Sequence, residues 1–477
     1  MKLTKTFLYS VLGMMYANSA NAEVAQSKND NLDDNIQVAT PKFQAPAVQP
    51  KVNNPGSVSM TKAELAQHPD LIIRGMIPAV LQNNEEVVSL LLPLYREIPQ
   101  KDPVLLSWAE AIEARHQGNY SEAAQRYRTL FTQHSDILPL RYQLAQALFL
   151  NNDNEAAKDQ FQKLRAEEMA PEMTAVIDQY LSALNQRDQW KFSGGVSFLN
   201  ETNINNAPKA GTHIGSWQAW KKESAQGLSY SLGLDKKWSL PNNFFTQLGL
   251  DGQGKYYWDN KKYNELNVRL GWGLGYQTSR LELSLTPFME KRWYSGGSSG
   301  SDALKQYSKN SGARFDISYW LNPRWQISSA LEYGEQRYDW RKHLNGNNYL
   351  FSNTLLYVPK SGQYWFAGLD YSRENTRDKD NAYQRMGSRL GWGQEWPWGI
   401  SSRITLSYAK RHYQAVDFFN IRQKNREYAS TLTLWHRDLY FWGITPKITW
   451  SYQKVKSNHP FYGYDKNRVF LEMSKTF

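Results

Sequence analysis

The last 288 residues, Trp190 to Phe477, read as a succession of two-faced strands. Successive side chains of a strand point to opposite faces, so a period of two sorts residues by environment. Val268, Leu270, Trp272, Leu274 and Tyr276 share one face, opposite Gly271, Gly273 and Gly275. Leu281, Leu283 and Leu285 oppose Glu282, Ser284 and Thr286, and Ile444, Ile448 and Trp450 oppose Thr445, Lys447 and Thr449. Such strands are too polar for a membrane helix, yet one face suits lipid. A closed β-barrel satisfies both demands, because it leaves no backbone edge unpaired in hydrocarbon.

The pattern predicts fourteen antiparallel strands, at about 190–200, 227–239, 244–258, 264–277, 280–294, 305–320, 324–340, 348–358, 362–374, 381–396, 400–413, 424–437, 440–455 and 464–477. Short turns at Pro241-Asn242-Asn243, Thr278-Ser279, Asn322-Pro323, Lys360-Ser361, Pro397-Trp398-Gly399 and Asp438-Leu439 alternate with longer loops such as 201–226, 295–304, 414–423 and 456–463. Bacterial barrels keep short turns in the periplasm and long loops outside. Seventeen of the eighteen tryptophans lie in this region, several beside the short turns (Trp320, Trp325, Trp396, Trp398, Trp435, Trp442), where an interfacial girdle belongs. A soluble β-sandwich is the alternative, and it would have to hide those rings. Val469, Leu471, Met473 and Phe477 share one face of the last strand and resemble the signature read by the outer-membrane barrel-assembly machinery, with Lys475 interrupting the run.

The 477-residue chain contains no cysteine, which rules out disulfides and thiolate metal sites and fits an oxidising envelope. Lys2 and Lys5, the apolar run Phe7 to Met15 and Ala20-Asn21-Ala22 compose a signal peptide ending at residue 22. Its removal takes two lysines and no acids, lowering the net charge from +11 to +9. Glu23 follows in place of the cysteine of a lipoprotein. Elsewhere no run approaches the roughly 20 apolar residues of a membrane helix. The basic surplus fits contact with lipopolysaccharide, phospholipid or an acidic passenger, but a merely solvated surface accounts for it better. Residues 23–60, rich in Asn, Asp, Gln, Pro and Ala, read as a mobile lead segment.

Residues 61–187 carry a helical pattern with an internal repeat. Ala111, Ala123, Tyr127 and Leu130 recur 34 residues later as Ala145, Ala157, Phe161 and Leu164, and Gly118-Asn119-Tyr120 recurs as Asn152-Asp153-Asn154. This is the tetratricopeptide period, in which small residues let paired helices pack closely. A degenerate earlier unit is expected at 70–100. With Ala111 and Ala145 at the packing positions, the concave groove would display Leu105, Trp108, Ile112 and Arg115, then Tyr142, Gln146 and Phe149. Aromatic side chains beside an arginine suit capture of an extended polypeptide. The competing reading packs Trp108 and Phe149 against neighbouring helices.

Catalytic and metal-binding patterns are missing from the sequence. The eight histidines are scattered, and His412 and His436 fall on predicted strands as lumen or interface residues. Gly296-Gly297-Ser298-Ser299-Gly300 matches G-x-S-x-G only formally, since that nucleophile requires a strand-to-helix elbow. No enzyme, cofactor or nucleic-acid partner is expected. Gly271, Gly273, Gly275, Gly387, Gly391 and Gly393 form a small inward set that serves barrel curvature or keeps a lumen open.

The domain order is similar to that of the surface lipoprotein assembly modulator family, Slam. The resemblance rests on that order and on Gly118-Asn119-Tyr120-Ser121-Glu122-Ala123, on Phe192-Ser193-Gly194-Gly195-Val196 leading to Asn200-Glu201-Thr202-Asn203, and on a last strand ending at Phe477. It implies an outer-membrane translocator that delivers lipoproteins, or related soluble haem- or metal-acquisition proteins, to the cell surface. It also implies that the periplasmic repeats engage cargo or periplasmic chaperones, with no catalytic residue. A polysaccharide-export porin, a general porin and an outer-membrane lipase or protease are the rival expectations.

Overall fold

The computed structural model describes residues 60–476 apart from 361, 442 and 443. The expected signal peptide, all but the last residue of the lead segment, Trp442 and Phe477 therefore lie outside the described residues.

Eight helices come first: α1 (Lys62–Leu65), α2 (Pro69–Leu81), α3 (Glu85–Glu97), α4 (Pro103–His116), α5 (Tyr120–Gln133), α6 (Leu138–Leu150), α7 (Asn154–Arg165) and α8 (Pro171–Arg187). Prolines open α2, α4 and α8 where no intrahelical N–H is needed, and the Asp102 carboxylate accepts the Val104 N–H at 2.7 Å to cap α4. Helices α2–α3, α4–α5 and α6–α7 form three pairs joined by one turn design. Each turn places a residue in the left-handed region, Asn83 (φ 59°), Gly118 (φ 75°) and Asn152 (φ 60°). In each, the next N–H reaches five residues back: Asn84 to Ala79 at 2.8 Å, Asn119 to Ala114 at 2.8 Å and Asp153 to Leu148 at 3.0 Å. The first pair thus shares the backbone geometry of the other two although its side chains have diverged. The repeat positions Ala111, Ala123, Tyr127, Ala145, Ala157 and Phe161 are completely buried, the small residues lying where helices meet.

Fourteen strands follow: β1 (Lys191–Glu201), β2 (Ala225–Ser239), β3 (Phe244–Tyr257), β4 (Glu265–Gln277), β5 (Leu281–Tyr294), β6 (Lys305–Asn322), β7 (Trp325–Tyr338), β8 (Gly346–Lys360), β9 (Gln363–Thr376), β10 (Tyr383–Glu395), β11 (Ile400–Tyr413), β12 (Lys424–His436), β13 (Thr445–Ser457) and β14 (Tyr464–Thr476). Every neighbour pairing is antiparallel, and β1 joins β14 to close the barrel. The exterior is apolar as the period-two pattern requires: on β4, Trp272 (65%) and Leu274 (63%) stand exposed beside buried Gly271, Gly273 and Gly275. No helix among the described residues is long and apolar enough to cross a membrane.

One connection differs from expectation. Past the turn expected at Asp438-Leu439, β13 begins at Thr445 rather than 440. Tyr440 and Phe441 read as strand because they are apolar, but they are exposed and Phe441 bridges back to Ile444.

The inward faces carry opposed charges held against the wall. Arg269 meets Glu332 at 3.0 Å, Arg389 meets Asp370 at 2.8 Å, Arg385 meets Glu427 at 2.8 Å and Arg292 meets Glu265 at 2.7 Å. Pairing of this kind is what permits charges to be buried. Three of the inward glycines are not openings into a lumen. A Cβ on Gly275 would strike the Phe245 ring, one on Gly391 the Phe366 ring, and one on Gly393 the Tyr364 ring. These glycines seat aromatic rings that lie flat across the neighbouring strand.

Candidate functional site

The residues expected to line an open groove lie inside the solenoid instead. Trp108, Ile112, Arg115, Gln146 and Phe149 are buried, and Leu105 and Tyr142 are half-buried. The exposed-groove expectation is corrected by a hydrogen-bond spine that runs across all three helix pairs. The Trp108 indole N–H donates to Gln143 Oε1 at 2.6 Å, and Gln143 Nε2 donates to the Val80 carbonyl at 2.8 Å. Arg115 donates to Asn83 at 2.5 Å and Gln146 at 3.0 Å, and pairs with Glu85 at 2.6 Å. Gln146 Nε2 donates to the Tyr142 and Tyr180 hydroxyls at 3.0 and 3.1 Å. With so few repeats, α2 and α8 both reach the middle and close the concave face. Burial pushes the Tyr127, Tyr142 and Tyr180 hydroxyls above their usual range, so they stay neutral.

The same repeat turns hold the solenoid to the barrel. Asn152 Nδ2 donates to the Thr278 carbonyl at 2.9 Å, and Asn154 Nδ2 donates to Ser239 Oγ at 2.9 Å. From the barrel, Asn243 donates to the Asn151 carbonyl at 2.9 Å and Arg280 to Asn119 Oδ1 at 3.2 Å. Asp188, between α8 and β1, accepts the Ser239 N–H at 3.0 Å and its hydroxyl at 2.8 Å. The grip therefore falls on the β2–β3 and β4–β5 turns. Asn242 and Asn243 are left-handed (φ 60° and 66°), which turns the β2–β3 hairpin tightly toward the helices.

At the other end, the 202–224 loop folds over the barrel mouth. Asn203 to Ala207 are buried, Asn203 bonding the Ala207 carbonyl and N–H at 2.9 and 2.8 Å. Farther along, Trp217 packs edge-on against Phe418 and Phe419, and Trp220 against Phe461 and Tyr462. On the opposite side Glu223 pairs with Lys262 at 2.6 Å and accepts Ser298 Oγ at 2.8 Å. Ser298 thus belongs to a loop contact on a short 3₁₀ turn, away from any strand-to-helix elbow. His459 stands 2.7 Å from Asp417, beneath the Phe419 and Tyr462 rings. Burial alone would raise the Asp417 carboxyl; His459 and the backbone N–H groups of Ile421 and Phe419 outweigh it and hold it below its usual range.

The closure between β1 and β14 is uneven. Ser193–Ser197 pair with Glu472–Thr476, and among the described residues Phe198–Glu201 have no ladder partner on β14. Every residue from Thr445 to Val455 of β13, by contrast, pairs with β14. Side chains span the gap: Arg468 reaches Glu201 at 2.8 Å and Lys466 reaches it at 3.9 Å. Val469, Leu471 and Met473 share the lipid-facing side of β14. His412 is exposed on the outer face of β11, and His436 ends β12 beside Asp438. No cluster of three potential metal-binding side chains occurs among the described residues.

Two family models match the chain: "Surface lipoprotein assembly modifier" over residues 190–477 and its N-terminal TPR repeats over residues 58–161. The chain belongs to the surface lipoprotein assembly modifier family. Within that family, Surface lipoprotein assembly modifier 1 of Haemophilus influenzae strain Rd is 66% identical over 99% of this chain and 98% of its own. Surface lipoprotein assembly modifier 2 of the same strain is 56% identical with the same coverage. A more distant relative, the hemophilin secretion modulator of Acinetobacter baumannii, is 24% identical over 86% of each chain. As a member of this family, the protein is an outer-membrane β-barrel of lipoprotein surface assembly with a periplasmic helical-repeat domain.

Proposed function

We propose that the protein is a translocator that passes a particular partly unfolded protein from the periplasmic solenoid, through the barrel, to the cell surface. The observation that carries this reading is the joint. Repeat turns at Asn119 and at Asn151–Asn154 bond directly to barrel turns, so a passenger held by the solenoid is presented to the conduit at a fixed position. Cargo contact falls to the exposed apolar side of α2 and α3, carrying Leu71, Ile77, Leu81 and Leu90, since Trp108, Arg115 and Gln146 are engaged internally. Tyr142 and Leu105, half-buried, lie at the margin of that engagement.

The cargo is a lipoprotein, in keeping with the family name, or a related soluble haem- or metal-binding protein, the class suggested by the relative called a hemophilin secretion modulator. No catalytic step is involved. Passenger folding outside supplies the free energy, because the reading provides for no nucleotide hydrolysis. Periplasmic chaperones deliver the cargo, and the barrel-assembly machinery inserts the barrel through the Val469, Leu471, Met473 face and Phe477.

The test is deletion of the gene followed by surface labelling of candidate lipoproteins and assay of the medium. Loss of one lipoprotein or haem-binding protein from the surface, with its periplasmic accumulation, is expected. Unchanged display, or loss of a secreted glycan instead, overturns the proposal.

A further inference from the structure

Rows of lysine and arginine stand directly opposite one another on the lipid-facing side of β11, β12 and β13. The register orders this face from the membrane interior outward. Ile404, Leu432 and Trp450 form one row; Leu406, Ser430 and Tyr452 the next; Tyr408, Tyr428 and Lys454 the third. Above them Lys410 pairs with Arg426 and Arg426 with Lys456, and His412 pairs with Lys424. Lys410, Lys424, Arg426 and Lys456 are all exposed.

Like charges directly opposite on a sheet are destabilising, so an intrinsic structural role does not account for these rows. Among the described residues the six basic side chains have no salt-bridge partner. Of the charged groups around them, Asp465 faces Lys454 from β14, and Glu427 points inward to Arg385 and Arg411. The rows begin where the apolar band ends. Tyr408 and Tyr428, their rings 5.2 Å apart, form the aromatic girdle, and Lys456 Nζ lies 5.7 Å from the Tyr428 ring. Aromatic residues mark the membrane–water interface, so the cations sit at head-group depth. They are on the extracellular side, at the ends of β11 and β13 that lead into the 414–423 and 458–463 loops. A second row, Lys291–Lys309–Arg337 on β5–β7, is partly compensated, since Glu335 pairs with Arg337 at 2.8 Å.

We propose that the outer face of β11–β13 binds a lipid of the outer leaflet whose head group carries more than one phosphate, the chemistry of lipopolysaccharide. Phosphate oxygens accept charge-assisted hydrogen bonds from Lys410, Arg426 and Lys456, while acyl chains lie along Leu432, Trp450 and Ile404 below. Juxtaposed cations explain selectivity for a polyanionic head group over a zwitterionic one. The anchored lipid fixes the three strands that carry the loops interlocked over the mouth.

The experiment uses the full chain in detergent micelles and a fluorescent bisphosphorylated lipid A. Expected results are saturable binding that weakens with salt, at least tenfold weaker binding of dephosphorylated lipid A, and at least a tenfold loss in the Lys410→Gln, Arg426→Gln, Lys456→Gln variant. Lys291→Gln with Lys309→Gln and Arg337→Gln, which also removes three cations, serves as the matched charge control and is expected to lose less. Equal binding of both lipids by the unaltered protein overturns the proposal even if the triple variant fails to fold. So does full displacement by an equimolar concentration of inorganic phosphate or of an acidic protein, which would make the patch a general anion or protein site.

Discussion

Arg468 of β14 reaches Glu201 of β1 at 2.8 Å, at the end of the barrel closure where the backbone ladder has already stopped. Glu201 is nearly buried and also faces Lys466 at 3.9 Å, so the outer half of the closure depends on side-chain charge. Removing one member of a buried pair strands the other, a cost of about 3–5 kcal/mol that falls to about 2 kcal/mol here because Arg468 keeps some water. Glu201→Gln is therefore expected to lower the temperature at which the barrel loses its folded mobility on a detergent gel. An unchanged transition in both Glu201→Gln and Arg468→Gln would show that the pair does not hold the closure.

Arg115, in the second helix pair, is the centre of the solenoid spine, bonded to Asn83 and Glu85 of the first pair and Gln146 of the third. Arg115→Ala removes a buried guanidinium that bonds three polar partners and is expected to destabilise the helical domain by about 3 kcal/mol. Leu81→Asp, on the exposed side of α2, is expected to leave stability nearly unchanged while reducing cargo display. Thermal melting of the full chain's helical signal, alongside surface labelling, separates the two effects. A Leu81→Asp chain that displays cargo normally would move the docking surface elsewhere.

Asn154 and Ser239 link the last repeat turn to the first barrel hairpin at 2.9 Å. Because the chain has no cysteine, Asn154→Cys with Ser239→Cys offers an uncluttered cross-link. A disulfide is expected to form under mild oxidation, shifting gel mobility reversibly with reductant, and cargo display is expected to continue with the joint locked. Failure of the pair to oxidise would argue that the solenoid is not seated there.

The Asp417–His459 contact predicts a pH dependence. Asp417 has a depressed folded-state pKa, so its stabilisation is fully present above the unfolded carboxylate value, near 3.9, and is lost as pH falls through the lower folded value. The protection of residues 414–423, their exchange rate set against that of the unstructured chain at the same pH, should be high at pH 6 and fall as pH drops below about 3.9. Asp417→Asn should show fast exchange already at pH 6. Equal protection of the two proteins at pH 6 would remove the carboxylate from the account.

Gly391→Val is expected to cost about 1–3 kcal/mol of barrel stability, by driving the Phe366 ring from its seat. The same replacement at Gly252, where only the Leu232 carbonyl lies near an added Cβ, should be milder. Comparable losses at both positions would point to curvature rather than ring seating.

These glycines mark where sequence reasoning reached its limit. Alternation placed Gly275 and Gly391 on the inner face correctly, because period two is a local property. The rings that cover them belong to adjacent strands, and register across a barrel cannot be read from one strand. Strand positions were legible for the same local reason, and the late start of β13 escaped because Tyr440 and Phe441 are apolar, although Phe441 pairs only across its own turn with Ile444. In the solenoid, Ala111 and Ala145 announced the repeat. Burial of Trp108 and Phe149 followed instead from α2 and α8 closing over a short array, which depends on repeat number rather than on any one residue. The mouth-covering loop left one sign, Trp217 and Trp220 within a connection, and its partners lie at 418–419 and 461–462.

The grip between the two domains is lopsided. The helices hold the β2–β3 and β4–β5 turns and continue directly into β1, so one flank of the barrel closure is tethered to the solenoid, while the other, β14, pairs with β1 and β13. Tension on the solenoid would load the joint between β1 and β14 in shear, first on the Ser193–Ser197 rungs nearest the helices, with Glu201 and Arg468 as the far anchor.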